Sequence, residues 1–77
     1  IEKSSPIVIN AANEIFVDEF LKNNLHFNDI STYLNLVLKD KNYIKTSMMS
    51  SNTIKNIYKI DAIARELAYR IIKNKNI

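Results

Sequence analysis

The sequence offers few side chains suited to acid–base, nucleophilic or metal chemistry. It has no cysteine and a single histidine, His26, which stands between two apolar residues. A lone histidine in such a place is far more often an exposed loop residue than a base or a ligand. No HxxxH, ExxH or DxD pattern occurs, and Ser47, Ser50 and Ser51 have no base near them in the sequence. These residues predict neither a nucleophilic enzyme nor a metal centre.

One charged pair differs from the rest. Asp61 falls on the apolar stripe of the last predicted helix, and Arg65 follows at i+4. Because a carboxylate on a buried face needs a partner, we predict a largely buried ion pair, with Asn10, Asn13 and Glu14 as further partners from the other end of the chain. The alternative is a catalytic role, since perturbed charges occur in active sites as well as in structural networks.

A basic side on the last helix raises the possibility of phosphate contacts. The chain carries a net charge of +3, and the residues concerned are Lys55, Lys59, Arg70, Lys73 and Lys75. Asp61 and Glu66 interrupt this side, and the segment before the helix is much longer than the turn of a helix-turn-helix protein. We interpret the basic side as a solvated helix face, with nucleic-acid binding as the alternative.

Helical periodicity predicts an all-α fold, a small bundle of three or four helices. The first helix is predicted from Asn10, whose side chain would cap it, to about Asn23. The second is predicted to begin at Asn28 or Asp29 and carries the stripe Ile30, Tyr33, Leu34, Val37 and Leu38. The last is predicted from residue 54 to about 73 after a cap at Ser51 or Thr53, and the pattern leaves open a break near Asp61.

The other segments lack this periodicity. Residues 40–52 predict a loop whose apolar members lie on the core. The run Ile7-Val8-Ile9 predicts an extended lead-in, so the chain divides into a lead-in over residues 1–9 and a helical domain over residues 10–77. Since glycine is absent, left-handed backbone positions must fall to asparagine, and the predicted stops are at residues 23–24 and 41–42.

The length of 77 residues fits one domain. The chain begins with isoleucine and has no apolar segment of signal-peptide or membrane-spanning length, so we expect a piece of a longer protein. Such a piece would rest on a neighbouring domain, and the apolar residues predicted to make that contact are Ile7, Val8, Ile9, Val17 and Leu21.

Three separated elements also match a known pattern in order and in spacing. They are Asn10-Ala11-Ala12-Asn13-Glu14 with Phe20-Leu21, then Phe27-Asn28-Asp29-Ile30, and finally Ile60-Asp61 with Ala64-Arg65. Over residues 6–72 the chain resembles the C-terminal domain of 1-deoxy-D-xylulose 5-phosphate reductoisomerase. The resemblance implies a parent enzyme that uses NADPH and a divalent cation, Mg²⁺ or Mn²⁺. That enzyme converts deoxyxylulose phosphate to methylerythritol phosphate in non-mevalonate isoprenoid biosynthesis.

In that family the cofactor-binding and catalytic domains precede this segment. The resemblance therefore implies no catalytic, cofactor-binding or metal-binding residue here, and a structural or interdomain role for Asn10, Asn13, Glu14, Asp61 and Arg65. The implied partners are the catalytic domain of the same chain and a second copy of the parent, with neither nucleic acid nor membrane. The implied location is the bacterial cytoplasm or a plastid-type organelle. The alternative is a free-standing helical module that binds a protein or, weakly, nucleic acid.

Overall fold

A computed structural model describes residues 4–75 and places them in four helices. These are α1 (Ser5–Leu21), α2 (Phe27–Lys39), α3 (Lys41–Ser47) and α4 (Ile54–Lys75). The described residues contain no strand, so the predicted all-α fold is confirmed. Helices α1 and α4 share the largest interface, α2 packs against both, and α3 contacts all three of the other helices. The 22 residues of α4 set the long dimension of 36 Å.

Helix α1 begins at Ser5, five residues before the predicted cap at Asn10. Pro6 lies in its first turn, where the missing N–H leaves no intrahelical bond unmade. Ile7 to Ile9 are helical, and Val8 between them is fully buried. The predicted cap at Asn10 and the predicted extended lead-in are therefore wrong over the described residues, because Val8 continues the core stripe one turn further back. Residues 1–3 of the lead-in lie outside the described residues.

The start of α1 is fastened to the end of α3. The Ser4 backbone N–H donates to the Ser47 carbonyl oxygen at 2.8 Å, and the Ser4 hydroxyl donates to the Met49 carbonyl oxygen. Ser4 and Ser47 are fully buried. This contact fixes the point where the chain enters the domain, beside the connection between α3 and α4.

The core lies where α1, α2 and α4 meet. Four alanines at the centre of α1 and α4 (Ala11, Ala12, Ala64 and Ala68) are buried, and small side chains at a helix contact let the two helices approach closely. Phe16 of α1 meets Tyr33 of α2 edge to face, with ring centroids 5.6 Å apart. Burial, and then the nearby charge of Asp29, raises the pKa of Tyr33.

The turn between α1 and α2 uses asparagine in place of glycine. Asn23 has a φ of 66°, which confirms the predicted left-handed stop after α1. Helix α2 begins at Phe27 rather than after Asn28, and His26 is its exposed N-cap residue. Asp29 stabilises this start from the third position, because its carboxylate accepts the His26 backbone N–H at 2.9 Å. The predicted cap at Asn28 or Asp29 is therefore wrong, because both residues lie inside the helix.

The predicted loop over residues 40–52 is wrong for residues 41–47, which form α3. Asp40 caps this helix, since its carboxylate accepts the Asn42 backbone N–H at 2.7 Å. Tyr43 is buried, as expected for an apolar residue lying on the core, whereas Ile44 and Met48 are exposed. The predicted stop at residues 41–42 is also wrong, since the chain turns at Asp40 and enters a new helix.

Helix α4 is continuous from Ile54 to Lys75, without a break at Asp61. The predicted cap at Thr53 is confirmed, because its hydroxyl accepts the Asn56 backbone N–H at 3.1 Å. No helix within residues 4–75 has both the length and the apolar character to cross a membrane.

Candidate functional site

A triad of charged side chains joins the two longest helices. Arg65 Nε donates to Asp61 Oδ2 at 2.8 Å within α4, and Arg65 Nη2 donates to Glu14 Oε1 of α1 at 3.0 Å. The pairing of Asp61 with Arg65 follows the predicted i, i+4 spacing, and Glu14 is one of the predicted partners. The hydrogen bond to Asp61, followed by that to Glu14, raises the pKa of Arg65. Arg65 therefore stays charged at every physiological pH.

The triad lies at the edge of the core rather than inside it. The side chains of Arg65 and Asp61 are 34% and 35% exposed, and that of Glu14 is 68% exposed. The prediction that Asp61 is largely buried is therefore wrong. Water reaches all three groups, so the network stabilises the fold by about 1 kcal/mol rather than by the larger amount typical of buried pairs.

Replacing Arg65 by alanine should lower the free energy of unfolding by about 1 kcal/mol, because it removes two hydrogen-bonded ion pairs and the packing of the side-chain stem. Arg70→Ala is the matched control on the same helix. The ion pair of Arg70 with Glu66 is weaker, because its N–O distance is 3.8 Å and both side chains are at least half exposed. Urea denaturation followed by circular dichroism measures both variants. Equal midpoints for the two variants would show that the triad does not stabilise the domain.

The two asparagines of the motif do not join this triad. Asn10 lies in the middle of α1 with its side chain exposed, and Asn13 is half-buried beside Glu14. Within residues 4–75 no hydrogen bond connects either amide to Asp61 or Arg65. Each asparagine costs the helix roughly 0.5 kcal/mol relative to alanine, so α1 keeps two unfavourable residues on its outer side.

A shallow groove of about 420 Å³ runs beside the triad, between α1 and α4. The residues lining it are Asn13, Glu14, Ile15, Val17, Asp18, Leu21 and Arg65. Asp18 is paired with Lys22 at 2.9 Å, and this hydrogen bond raises the pKa of Lys22. The groove holds no serine, histidine or tyrosine, so its composition suits contact with another surface rather than bond-making chemistry.

The other candidate residues take structural positions. Ser47 is buried, and its hydroxyl donates to the Ile44 carbonyl oxygen at 2.9 Å, which leaves it no role as a nucleophile. In the described part of the chain, no three histidine, aspartate or glutamate side chains come together as metal ligands. On the basic side of α4, Lys55, Lys59, Arg70 and Lys73 are exposed, and the side chain of Lys75 lies outside the described part.

Sequence reasoning missed a group of exposed apolar residues on α4. Ile54, Tyr58 and Tyr69 share the face that carries Asp61 and Arg65, and all three are exposed. The sequence does contain the pattern that places these residues on one face, because positions 54, 58, 61, 65 and 69 have the spacing i, i+4, i+7, i+11 and i+15. The sequence alone does not separate them from the core, because Ile54 and Tyr58 continue the apolar pattern of the helix.

Comparison with known proteins gives a consistent result. The family model described as "DXP reductoisomerase C-terminal domain" matches residues 1–67. A 1-deoxy-D-xylulose 5-phosphate reductoisomerase of a Wolbachia species from Brugia malayi is 38% identical over 97% of this chain and 19% of its own length. The Saccharophagus degradans enzyme of that name is 38% identical over 86% of the chain and 16% of its own length.

An apicoplastic 1-deoxy-D-xylulose 5-phosphate reductoisomerase of Plasmodium falciparum is 37% identical over 92% of the chain and 14% of its own length. The chain thus spans about a fifth or less of the length of these relatives. No solved structure matches it significantly.

Proposed function

This chain belongs to the family of DXP reductoisomerase C-terminal domains, and from that membership we propose that it is the helical C-terminal domain of an enzyme converting deoxyxylulose phosphate to methylerythritol phosphate. The observation that carries the proposal is the triad. Glu14 closes the first matching motif, Asp61 and Arg65 belong to the last, and the three side chains bond to one another across α1 and α4. Glu14 and Arg65 are 51 residues apart in sequence, so the first and the last motif form one structural unit.

The proposed role of this domain is to support the catalytic domain rather than to react. The parent enzyme is proposed to use NADPH and a divalent cation, Mg²⁺ or Mn²⁺, in isoprenoid biosynthesis. The residues of this domain fit neither group, because the described part brings no three metal-ligating side chains together and its helices do not form the βαβ unit that binds dinucleotides. No step of the reaction is assigned to them.

The proposed partners follow from the same membership. The domain would pack against the catalytic domain of its own chain, in a parent that forms a homodimer and binds neither nucleic acid nor membrane. The named relatives include bacterial enzymes and an apicoplastic one. They support a location in the bacterial cytoplasm or in a plastid-type organelle.

The proposal predicts that the full-length parent oxidises NADPH only when deoxyxylulose phosphate and a divalent cation are both present. The 77-residue chain alone should show no turnover, because it supplies neither the cofactor site nor the metal ligands. The loss of absorbance at 340 nm measures both preparations. A full-length protein without this activity would refute the assigned reaction, and turnover by the pure short chain would refute the supporting role.

A further inference from the structure

A second groove lies between α3 and α4 and shares no lining residue with the groove beside the triad. Two sets of four residues line it, and each set has the spacing i, i+3, i+4 and i+7, which places side chains on one face of a helix. The first set, from α3 and the turn after it, is Asn42, Lys45, Thr46 and Met49, and the second set, from α4, is Ile63, Glu66, Leu67 and Arg70. We name this surface the α3–α4 groove.

The floor of the α3–α4 groove is mainly apolar and is fixed in place. Leu67 and Thr46 are 2% and 5% exposed, and the partly buried Met49 packs against the core. The Met49 carbonyl oxygen accepts the Ser4 hydroxyl, and the Met49 backbone N–H donates to the Thr46 carbonyl oxygen at 3.0 Å. Because these contacts already order the floor, a ligand would bind there with little loss of chain entropy.

The rim of the α3–α4 groove carries an excess of positive charge. Lys45 of α3 and Arg70 of α4 supply two cations, and Glu66 supplies the one carboxylate among the lining residues. Within residues 4–75 Lys45 forms no ion pair. Arg70 contacts Glu66 at 3.8 Å, and both side chains are at least half exposed. Since such a pair contributes little, both cations are available to an anion.

We propose that the α3–α4 groove binds a small phosphate monoester with a short apolar body. A phosphate monoester carries a charge of about −1.5 to −2 at pH 7, which matches the two cations of the rim. Arginine presents paired N–H donors that suit two phosphate oxygens at once, and the floor suits an alkyl chain. This inference is independent of the proposed reaction, because no residue of the groove is assigned to that reaction.

The size and the charge of the groove limit the ligand. Its volume of about 240 Å³ is below the roughly 300–1,000 Å³ of sites for drug-sized molecules, so the ligand is small. Glu66 leaves the lining residues with one net positive charge, and its carboxylate would repel a second phosphate group. The exposed amide of Asn42 can donate a further hydrogen bond to the first one. The groove therefore suits a monoester better than a diphosphate.

The residues predicted to contact a neighbouring domain lie elsewhere. Ile7, Val8 and Ile9 pack against the core, so their prediction as a docking surface is wrong, and Val17 and Leu21 line the groove beside the triad. None of these five residues lines the α3–α4 groove. The proposed ligand and the predicted interdomain contact therefore use different surfaces of the domain.

Photolabelling of the full-length parent tests the proposal. The probe is butyl phosphate with a diazirine in its alkyl chain, and mass spectrometry locates the label after ultraviolet irradiation. We expect label on the peptides that contain Met49, Ile63 or Leu67, because these residues would contact the chain. Label bound at another phosphate site of the parent falls on other peptides and is counted separately. Absence of label from all three residues would overturn the proposal.

Three substitutions test whether the two cations hold the phosphate. Lys45→Gln and Arg70→Gln should each lower labelling of the groove peptides about tenfold, since a hydrogen bond to a charged group contributes at least that much. Lys59→Gln is the matched control, because Lys59 is exposed on α4 and does not line the groove. Circular dichroism verifies that all three variants are folded. Equal labelling of the three variants and the unsubstituted protein would contradict the proposed phosphate contacts.

Competition identifies the part of the ligand that the groove recognises. Unlabelled butyl phosphate should block labelling of the groove at a concentration about tenfold lower than inorganic phosphate, butyrate or glucose 6-phosphate, since it alone combines the phosphate dianion with an alkyl chain. Equal competition by inorganic phosphate would indicate a bare anion site. Stronger competition by butyrate would indicate a carboxylate site, and stronger competition by glucose 6-phosphate a sugar-phosphate site. Any of these three results would overturn the proposal.

Discussion

Replacing Phe16 by alanine is expected to lower the free energy of unfolding of the chain by about 3–5 kcal/mol. Phe16 is fully buried and makes an edge-to-face contact with Tyr33, so its removal leaves a cavity between α1 and α2 and also removes the aromatic pair. A domain of this size has a total stability of roughly 4–11 kcal/mol. The variant should therefore lose a large part of the stability of the domain, and nearly all of it at the low end of this range.

Phe27→Ala is the matched control. Phe27 also forms an edge-to-face pair, with Phe20 at 5.7 Å, but it is 71% exposed. Its loss should cost about 1 kcal/mol, since little apolar surface returns to water. Urea denaturation followed at 222 nm measures both variants, and helix content in the absence of urea reports outright unfolding. If the two substitutions shifted the midpoint equally, Phe16 would not be the centre of the core.

The parts of the fold that the sequence predicts best are those with long regular stripes. The last helix was placed within about two residues of its ends, because its apolar positions repeat over six turns. In the second helix Tyr33 and Val37 are buried as the stripe requires, although Leu38 at its edge is exposed. Helix α3 was missed because seven residues make only two turns, too few to show a period.

The start of α1 was missed for a different reason. Ile7, Val8 and Ile9 are β-branched, and a run of such residues locally favours a strand. Burial of Val8 and the hydrogen bonds of Ser4 depend on α3 and α4, which are distant in sequence. Tertiary packing therefore overrides the local preference, and no local pattern reveals this.

The candidate site was predicted in its pairing but not in its exposure. Spacing alone links Asp61 to Arg65, and the need for a partner points to Glu14. The exposure of these three side chains depends on how far α1 covers α4. That distance is set by the packing of the buried alanines between the two helices, and the apolar stripe of α4 does not reveal it. The exposure of Ile54 and Tyr58 was missed for the same reason. These two residues continue the apolar pattern of α4 beyond the part of the helix that the rest of the domain covers.

Removing residues 4–9 is expected to unfold the domain, although the sequence pattern marks them as a lead-in. The deletion removes the first turn of α1, the buried Val8, the partly buried Ile7 and Ile9, and the Ser4 bonds to residues 47 and 49. Burial of one valine stabilises a protein by about 1.5–3 kcal/mol. Adding the two isoleucines brings the loss near the whole stability of so small a domain.

Two truncated chains separate this effect from a general effect of shortening. One starts at Ser4 and the other at Asn10, and circular dichroism with thermal denaturation compares them with the 77-residue chain. The chain starting at Asn10 should have lost most of its helix signal at 25 °C, because α2 and α4 cannot bury their apolar faces without the first turns of α1. The 77-residue chain carrying Val8→Asp should lose its helix signal in the same way, since the substitution would force a carboxylate into an apolar site. If the chain starting at Asn10 instead showed a cooperative thermal transition with an unchanged midpoint, the domain would begin at Asn10, as the sequence pattern predicts. The core would then be complete without Val8.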